Sequence, residues 1–183
     1  MKMKKIELKN WKNTTLNQIK RYTCVPAGYE WMIKYANKKN AIYDPLTYDF
    51  QDFFDLKENN GFGTVYNEIN EYLNKKKDDI NDLLNNVKFK SYEVSEKGFL
   101  QRQEDIKSLI LKNNPCILPV IVTQLDKIDF HIMPIIKIEN NQYTFLRHNF
   151  DGVIKTDIIT FDSIKKTFLS NYGGNDLAYY KIS

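Results

Sequence analysis

The stretch from Ile117 to Asn149 restricts the fold more than any other. It contains ILPVIVTQ (117–124), FHIMPIIKIE (130–139) and QYTFLRHN (142–149). These runs are rich in β-branched and aromatic residues and too short for ordinary helices, so they read as three consecutive strands. Asn140 and Asn141 separate the last two. Asparagine tolerates positive φ, and a two-residue loop of this kind closes a tight hairpin. Three neighbouring strands with short connections form an antiparallel sheet.

Helical spacing dominates earlier in the chain. Trp31, Met32, Tyr35 and Ala36 recur at intervals of three and four, which gives one apolar helix face. Val65, Ile69, Tyr72 and Leu73, followed by Ile80, Leu83 and Leu84, predict a second helix from Thr64 to about Asn86, with the KKKDD run on its solvated side. Val87 to Val94 alternates as a half-exposed strand, and Ile106, Leu109 and Ile110 predict a third helix over Glu104–Asn113. Ile6, Leu8 and Trp11 pin a polar lead-in to the domain. After the hairpin, IITF (158–161) pairs briefly, a helix capped by Asp162 runs to Asn171, Gly173-Gly174 ends it, and LAYYKI (177–182) closes the fold. Helices first and sheet afterwards is the order of an α+β domain.

The chain has 183 residues, enough for one domain with a substantial core, and we read 1–183 as a single unit. Its apolar fraction of 42% and charged fraction of 27% are those of a globular protein. The formal charge of +4 comes from scattered lysines without a nucleic-acid motif, so no nucleic-acid partner is expected. No run is long and apolar enough to span a membrane. The Lys-rich N-terminus lacks the apolar core of a signal peptide, and a cytoplasmic protein is expected. Asp44, Asp49, Asp52 and Asp55 lack the spacing of a calcium loop, and the two cysteines do not form a zinc pattern, so neither metal nor cofactor is expected. Phe50, Phe53, Phe54 and Leu56 beside those acids read as core or as a lid. Cys116, in NNPCILPVIV, reads as a small hydrophobe at the start of a buried strand.

Cys24 differs. It lies in QIKRYTCVPAGYEWMIKY (18–35), where Pro26 marks the first turn of a helix. A sulfur at a helix start sits near the positive end of the peptide dipoles, which favours thiolate over thiol. A thiolate attacking a carbonyl needs a donor for the developing oxyanion. The neutral amide of Gln18 is suited to that task, together with the backbone N–H of Cys24.

Glutamine, five residues, cysteine, one residue, then Pro-Ala and an apolar helix with Met-x-x-Tyr resembles the papain-like cysteine peptidases, specifically the bacteriocin-processing (double-glycine) peptidases and their stand-alone relatives. The likeness extends through NNPCILPVIV and FHIMPIIKI to the closing strand. It implies a papain-like fold, with N-terminal helices packed on a C-terminal antiparallel sheet. It also implies a peptide or protein substrate, His131 as the base, and an Asn or Asp from the next strand to orient the imidazole. The family's offset lands on Arg147, and Asn149, close behind it, has the matching chemistry. His148 is the competing orienter, and Asp151 serves if the strand bulges. The expected site is therefore Cys24, His131, Asn149 and Gln18. The family usually carries Gly after the cysteine, where this chain has Val25. The same constellation serves deamidases and acyltransferases, and a non-catalytic binding module that keeps the fold is the remaining reading.

Overall fold

The computed structural model describes residues 5–14, 16, 24–36, 86–124, 127–147, 154–170 and 174–182. Seven strands form one antiparallel sheet: β1 (Ile6–Glu7), β2 (Val87–Ser91), β3 (Cys116–Gln124), β4 (Lys127–Glu139), β5 (Gln142–Arg147), β6 (Lys155–Thr160) and β7 (Asp176–Tyr180). The order is β2-β7-β3-β4-β5-β6, with β1 added beside β4. The described helices are α1 (Cys24–Ala36), α2 (Glu96–Leu111) and α3 (Phe161–Leu169), with a 3-10 turn at Trp11–Asn13. Mixed α+β architecture with an antiparallel sheet agrees with the sequence reading. The predicted helix over 64–86 and the acidic, aromatic segment at 44–56 lie outside the described residues.

The β4–β5 hairpin turns at Asn140 (φ 50°) and Asn141 (φ 59°), the paired left-handed geometry that follows the twist of the strands. Two prolines limit the ladders. β7 pairs β3 only at Cys116 and Ile117, just before Pro119, and β5 pairs β4 only from Ile135, just after Pro134. Proline lacks a donor and is confined to places where a strand has no neighbour on one side. Past these points β3 and β4 pair with each other as far as Gln124 and Lys127, and among the described residues no third strand joins them there.

The sheet is covered on both faces. A methyl group placed on Gly28 would stand 3.1 Å from Ile117 Cδ1 and 3.8 Å from Ile132 Cγ2, so α1 lies on the face carrying Ile117 and Ile132. The opposite face carries Cys116, Ile135, Tyr143 and Phe145 by alternation and register. There Phe161 of α3 meets Tyr143 at 6.4 Å between ring centroids, and Phe99 of α2 contacts Phe161 at 5.0 Å and Phe168 at 5.4 Å. Helices from both halves of the chain enclose the sheet, and β1 and β2 join it from the N-terminal half.

Several element boundaries differ from the sequence reading, and the starts of α2, α3 and β6 show why. The helix expected at Glu104 begins at Glu96, where the Ser95 side chain accepts a hydrogen bond from Gly98 N at 3.1 Å. Gly98 lies in the first turn of this helix. It is glycine because a Cβ there would fall 2.0 Å from the Glu93 carbonyl oxygen. α3 is capped by Thr160, whose hydroxyl accepts from Ser163 N at 3.3 Å, and Asp162 lies inside the first turn. Asp162 there favours the helix through the dipole and leaves the N–H groups to Thr160. β6 is a full six-residue strand, paired with β5 from Lys155 to Thr160.

These contacts set a ranking. Ser95→Ala removes a cap and should lower stability by about 1 kcal/mol. Gly98→Ala should lower it further, although alanine is the better helix former by about 1 kcal/mol, because the new methyl cannot coexist with the Glu93 carbonyl. Urea midpoints at unchanged m-value measure both, and a stabilised Gly98→Ala would refute the packing argument.

Candidate active site around Cys24

α1 holds Cys24 by its opposite end. Trp31 Nε1 donates to the Thr14 carbonyl at 3.1 Å, and the Tyr35 hydroxyl lies 2.6 Å from the Lys9 carbonyl and 2.7 Å from Asn113 Oδ1. Trp31 and Tyr35 also stack at 5.1 Å. Burial pushes the Tyr35 hydroxyl up to about 12, so it remains protonated at every ordinary pH. These bonds fix the C-terminal half of α1 over the start of β3 and the end of β4.

Along the helix, Tyr29, Trp31, Met32 and Tyr35 are all at most 1% exposed. Each fully buried side chain of this size contributes roughly 1.5–3 kcal/mol of transfer free energy. Glu30, 7% exposed, pairs with Lys34 at 2.9 Å within the helix. Gly28 sits close over Ile117, whose Cδ1 would have to yield by a few tenths of an ångström to a Cβ there. Val25 is 4% exposed and belongs to the core. The residue standing where the family carries glycine is thus used for packing.

The two cysteines occupy contrasting places. Cys116 is fully buried at the start of β3, as expected, and burial pushes its thiol up to about 12 despite the nearby Arg102 charge. Cys24 is the first residue of α1 and is partly exposed. Neither is in a disulfide.

His131 lies on β4 opposite Val120, is partly exposed, and has its Nδ1 shielded from solvent. Its neighbour Ile132 is the residue beneath Gly28. Successive strand residues point to opposite faces, so the described ladder directs His131 to the face of Met133 and Ile135, away from α1. Alternation thus puts His131 on one face of the sheet and α1, which begins at Cys24, on the other. Gln18, Asn149, His148 and Asp151 lie outside the described residues. Among the described residues, no group of three or more His, Cys, Asp or Glu stands together as a metal site, and no helix is long and apolar enough to cross a membrane.

The sequence reading missed Arg102, which is fully buried on α2. It donates to the carbonyls of Gly174 at 2.7 Å and Asp176 at 3.3 Å, with its guanidinium carbon 4.5 Å from the centre of the Phe168 ring. It ties α2 and α3 to the start of β7. The helical spacing Phe99, Arg102, Ile106 was the available signal, which the helix expected over Glu104–Asn113 left out. Asp176 feels the same arrangement. Burial raises its pKa, while the Ser91 hydrogen bond and the Arg102 charge oppose the rise.

No protein-family model matches the chain, and no curated protein matches it.

The contrast between the thiols yields a measurable outcome. Iodoacetamide on the folded protein near neutral pH should modify Cys24 and spare Cys116, because the thiolate is the reactive form and Cys116 stays protonated until the pH approaches about 12. Peptide mapping by mass spectrometry reads the result. Denaturation should equalise the two sites, and modification of Cys116 in the folded protein at a rate equal to Cys24 would contradict the burial argument.

Proposed function

We propose that the chain is a papain-like cysteine-dependent acyl-transfer enzyme, specifically a peptidase acting on peptide or protein amide bonds. The supporting observation is that Cys24 opens a helix and is accessible there, whereas Cys116 is sealed in the core. In this reading the Cys24 thiolate attacks the amide carbonyl. Gln18 and the Cys24 backbone N–H stabilise the oxyanion. His131, oriented by Asn149, protonates the departing amine, and water then releases the acyl group from sulfur. No cofactor enters the reaction. A deamidase or an acyltransferase would use the same steps with a different leaving group or acceptor, and the product distinguishes them: a new N-terminus, a carboxylate in place of a side-chain amide, or an amine adduct.

A second reading, a non-catalytic module of the same fold, is favoured by one observation, the alternation that turns His131 away from α1 while Ile132 faces it. Cross-linking separates the two. A disulfide requires Cβ atoms roughly 3.5–4.5 Å apart. In a Cys116→Ala background, the enzyme reading expects His131→Cys to close a disulfide with Cys24 on mild oxidation, and the module reading expects that only Ile132→Cys closes one.

On a peptide library, Cys24→Ala should abolish cleavage, and Gln18→Ala should reduce turnover by roughly a hundredfold to a thousandfold while leaving it measurable. Unchanged cleavage by Cys24→Ala would end the enzymatic reading.

A further inference from the structure

Among the described residues, β6 has a single strand neighbour, β5. Its outer edge shows little of the protection that edge strands usually carry. Ile158 is 63% exposed, the flanking Ile154 is 38% exposed, and Thr156 and Thr160 are exposed as well. The segment contains neither proline nor glycine, and Lys155 and Asp157 cancel in charge.

The backbone parity of this edge follows from one hydrogen bond. Phe161 N donates inward to the Asn141 carbonyl at 2.9 Å, and the β5–β6 register runs without a break from Gln142↔Thr160 to Arg147↔Lys155. The N–H and C=O groups of Lys155, Asp157 and Ile159 therefore face β5, and those of Ile154, Thr156, Ile158 and Thr160 face outward. A second antiparallel strand must match outward residues with outward residues. Two-fold pairing of β6 with its own copy is then limited to registers in which a residue lies opposite itself.

Charge selects among these registers. Centring on Lys155 or Asp157 sets like charges directly opposite, which is unfavourable. Centring on Thr156 sets Lys155 opposite Asp157 twice, Ile154 opposite Ile158 twice, and Thr156 opposite Thr156. The sequence Ile-Lys-Thr-Asp-Ile is complementary to itself about its middle residue. Asp157 also has Arg147 Nε at 3.9 Å within the same chain, so its carboxylate would have a cation on either side. The other sheet edge, β2, lacks this property, because a two-fold axis at Phe89 would oppose the exposed Lys88 and Lys90.

We propose that β6 is a homodimer seam, in which two copies of the chain pair antiparallel about a two-fold axis at Thr156 and join their sheets into one. The interface is isologous, since each residue contacts its complement on the partner in both directions. One strand's length of seam is smaller than a standard interface, so the association is concentration-dependent.

The test is sedimentation equilibrium of the full chain over a concentration series from micromolar to millimolar, with circular dichroism confirming that each variant is folded. Wild type should show a monomer–dimer equilibrium. Lys155→Asp sets Asp opposite Asp twice and should weaken association on the order of tenfold, as should Asp157→Lys. The double exchange Lys155→Asp with Asp157→Lys restores both opposite pairs and should recover the wild-type constant. Thr156→Pro removes an outward N–H that the β5 ladder does not use and should also weaken the dimer. A wild-type chain that is monomeric throughout the series would overturn the proposal. So would a Lys155→Asp chain that dimerises as wild type does, or a double exchange that fails to restore what the single variants lose.

Discussion

The fold depends on the close approach of α1 to the β3–β4 pair at Gly28. Helix interiors disfavour glycine by about 1 kcal/mol relative to alanine. That penalty is outweighed here, because the hydrogen in place of a methyl lets the helix backbone settle onto Ile117 and Ile132. Tyr29, Trp31, Met32 and Tyr35 are sealed as a result, and the small Ala178 stands opposite Ile117 on the same side of the sheet. The position of Cys24 follows from this contact. A helix held flat by its middle and tied down at its C-terminal end leaves its first residue at the margin of the sheet, where solvent can reach it.

The other face is organised around a charge. Arg102 is enclosed by Phe168 and by the carbonyls of Gly174 and Asp176. A buried cation carries a large desolvation penalty unless it is hydrogen-bonded. Gly174 contributes as a residue without a side chain, since a Cβ there would fall 2.3 Å from the Thr167 carbonyl oxygen. The turn before β7 can therefore close against α3 and present its carbonyl to Arg102. The last strand of the sheet is thereby fastened to α2 and α3, and β7 in turn carries β2 along its full length.

The strands and the apolar helix face of α1 were legible in the sequence because they rest on periodicity, which burial enforces directly. The Asn140-Asn141 turn was legible because its conformation belongs to those two residues. Ser95 and Thr160 were not, since either hydroxyl is an ordinary polar residue until the chain geometry brings an amide to it. The start of α2 at Glu96 was missed for the same reason, since Ser95 becomes a cap only once the Gly98 amide reaches it. The full length of β6 was hidden because Lys-Thr-Asp looks like a loop, and it is a strand because β5 supplies partners along its whole length. Cys24 could be singled out from its helix start alone. The facing of His131 could not, because facing is a property of register and a single residue of slip reverses it.

β4 demonstrates such a reversal within its own length. Between Ile135 and Lys137 its register against β5 shifts, so that Ile135 lies beside Phe145 and Lys137 beside Thr144. Those two β5 residues point to opposite faces, and the extra residue therefore inverts β4 from that point on. Ile138, with the same parity as Ile132, shares the face of Tyr143, on the side away from α1. His131 lies on the far side of Pro134, in the ribbon where β4 has β3 as its only described neighbour. The bulge therefore leaves His131 and Ile138 on one face of the sheet although their parity differs, and it sets which residues of β4 lie on the side of α1.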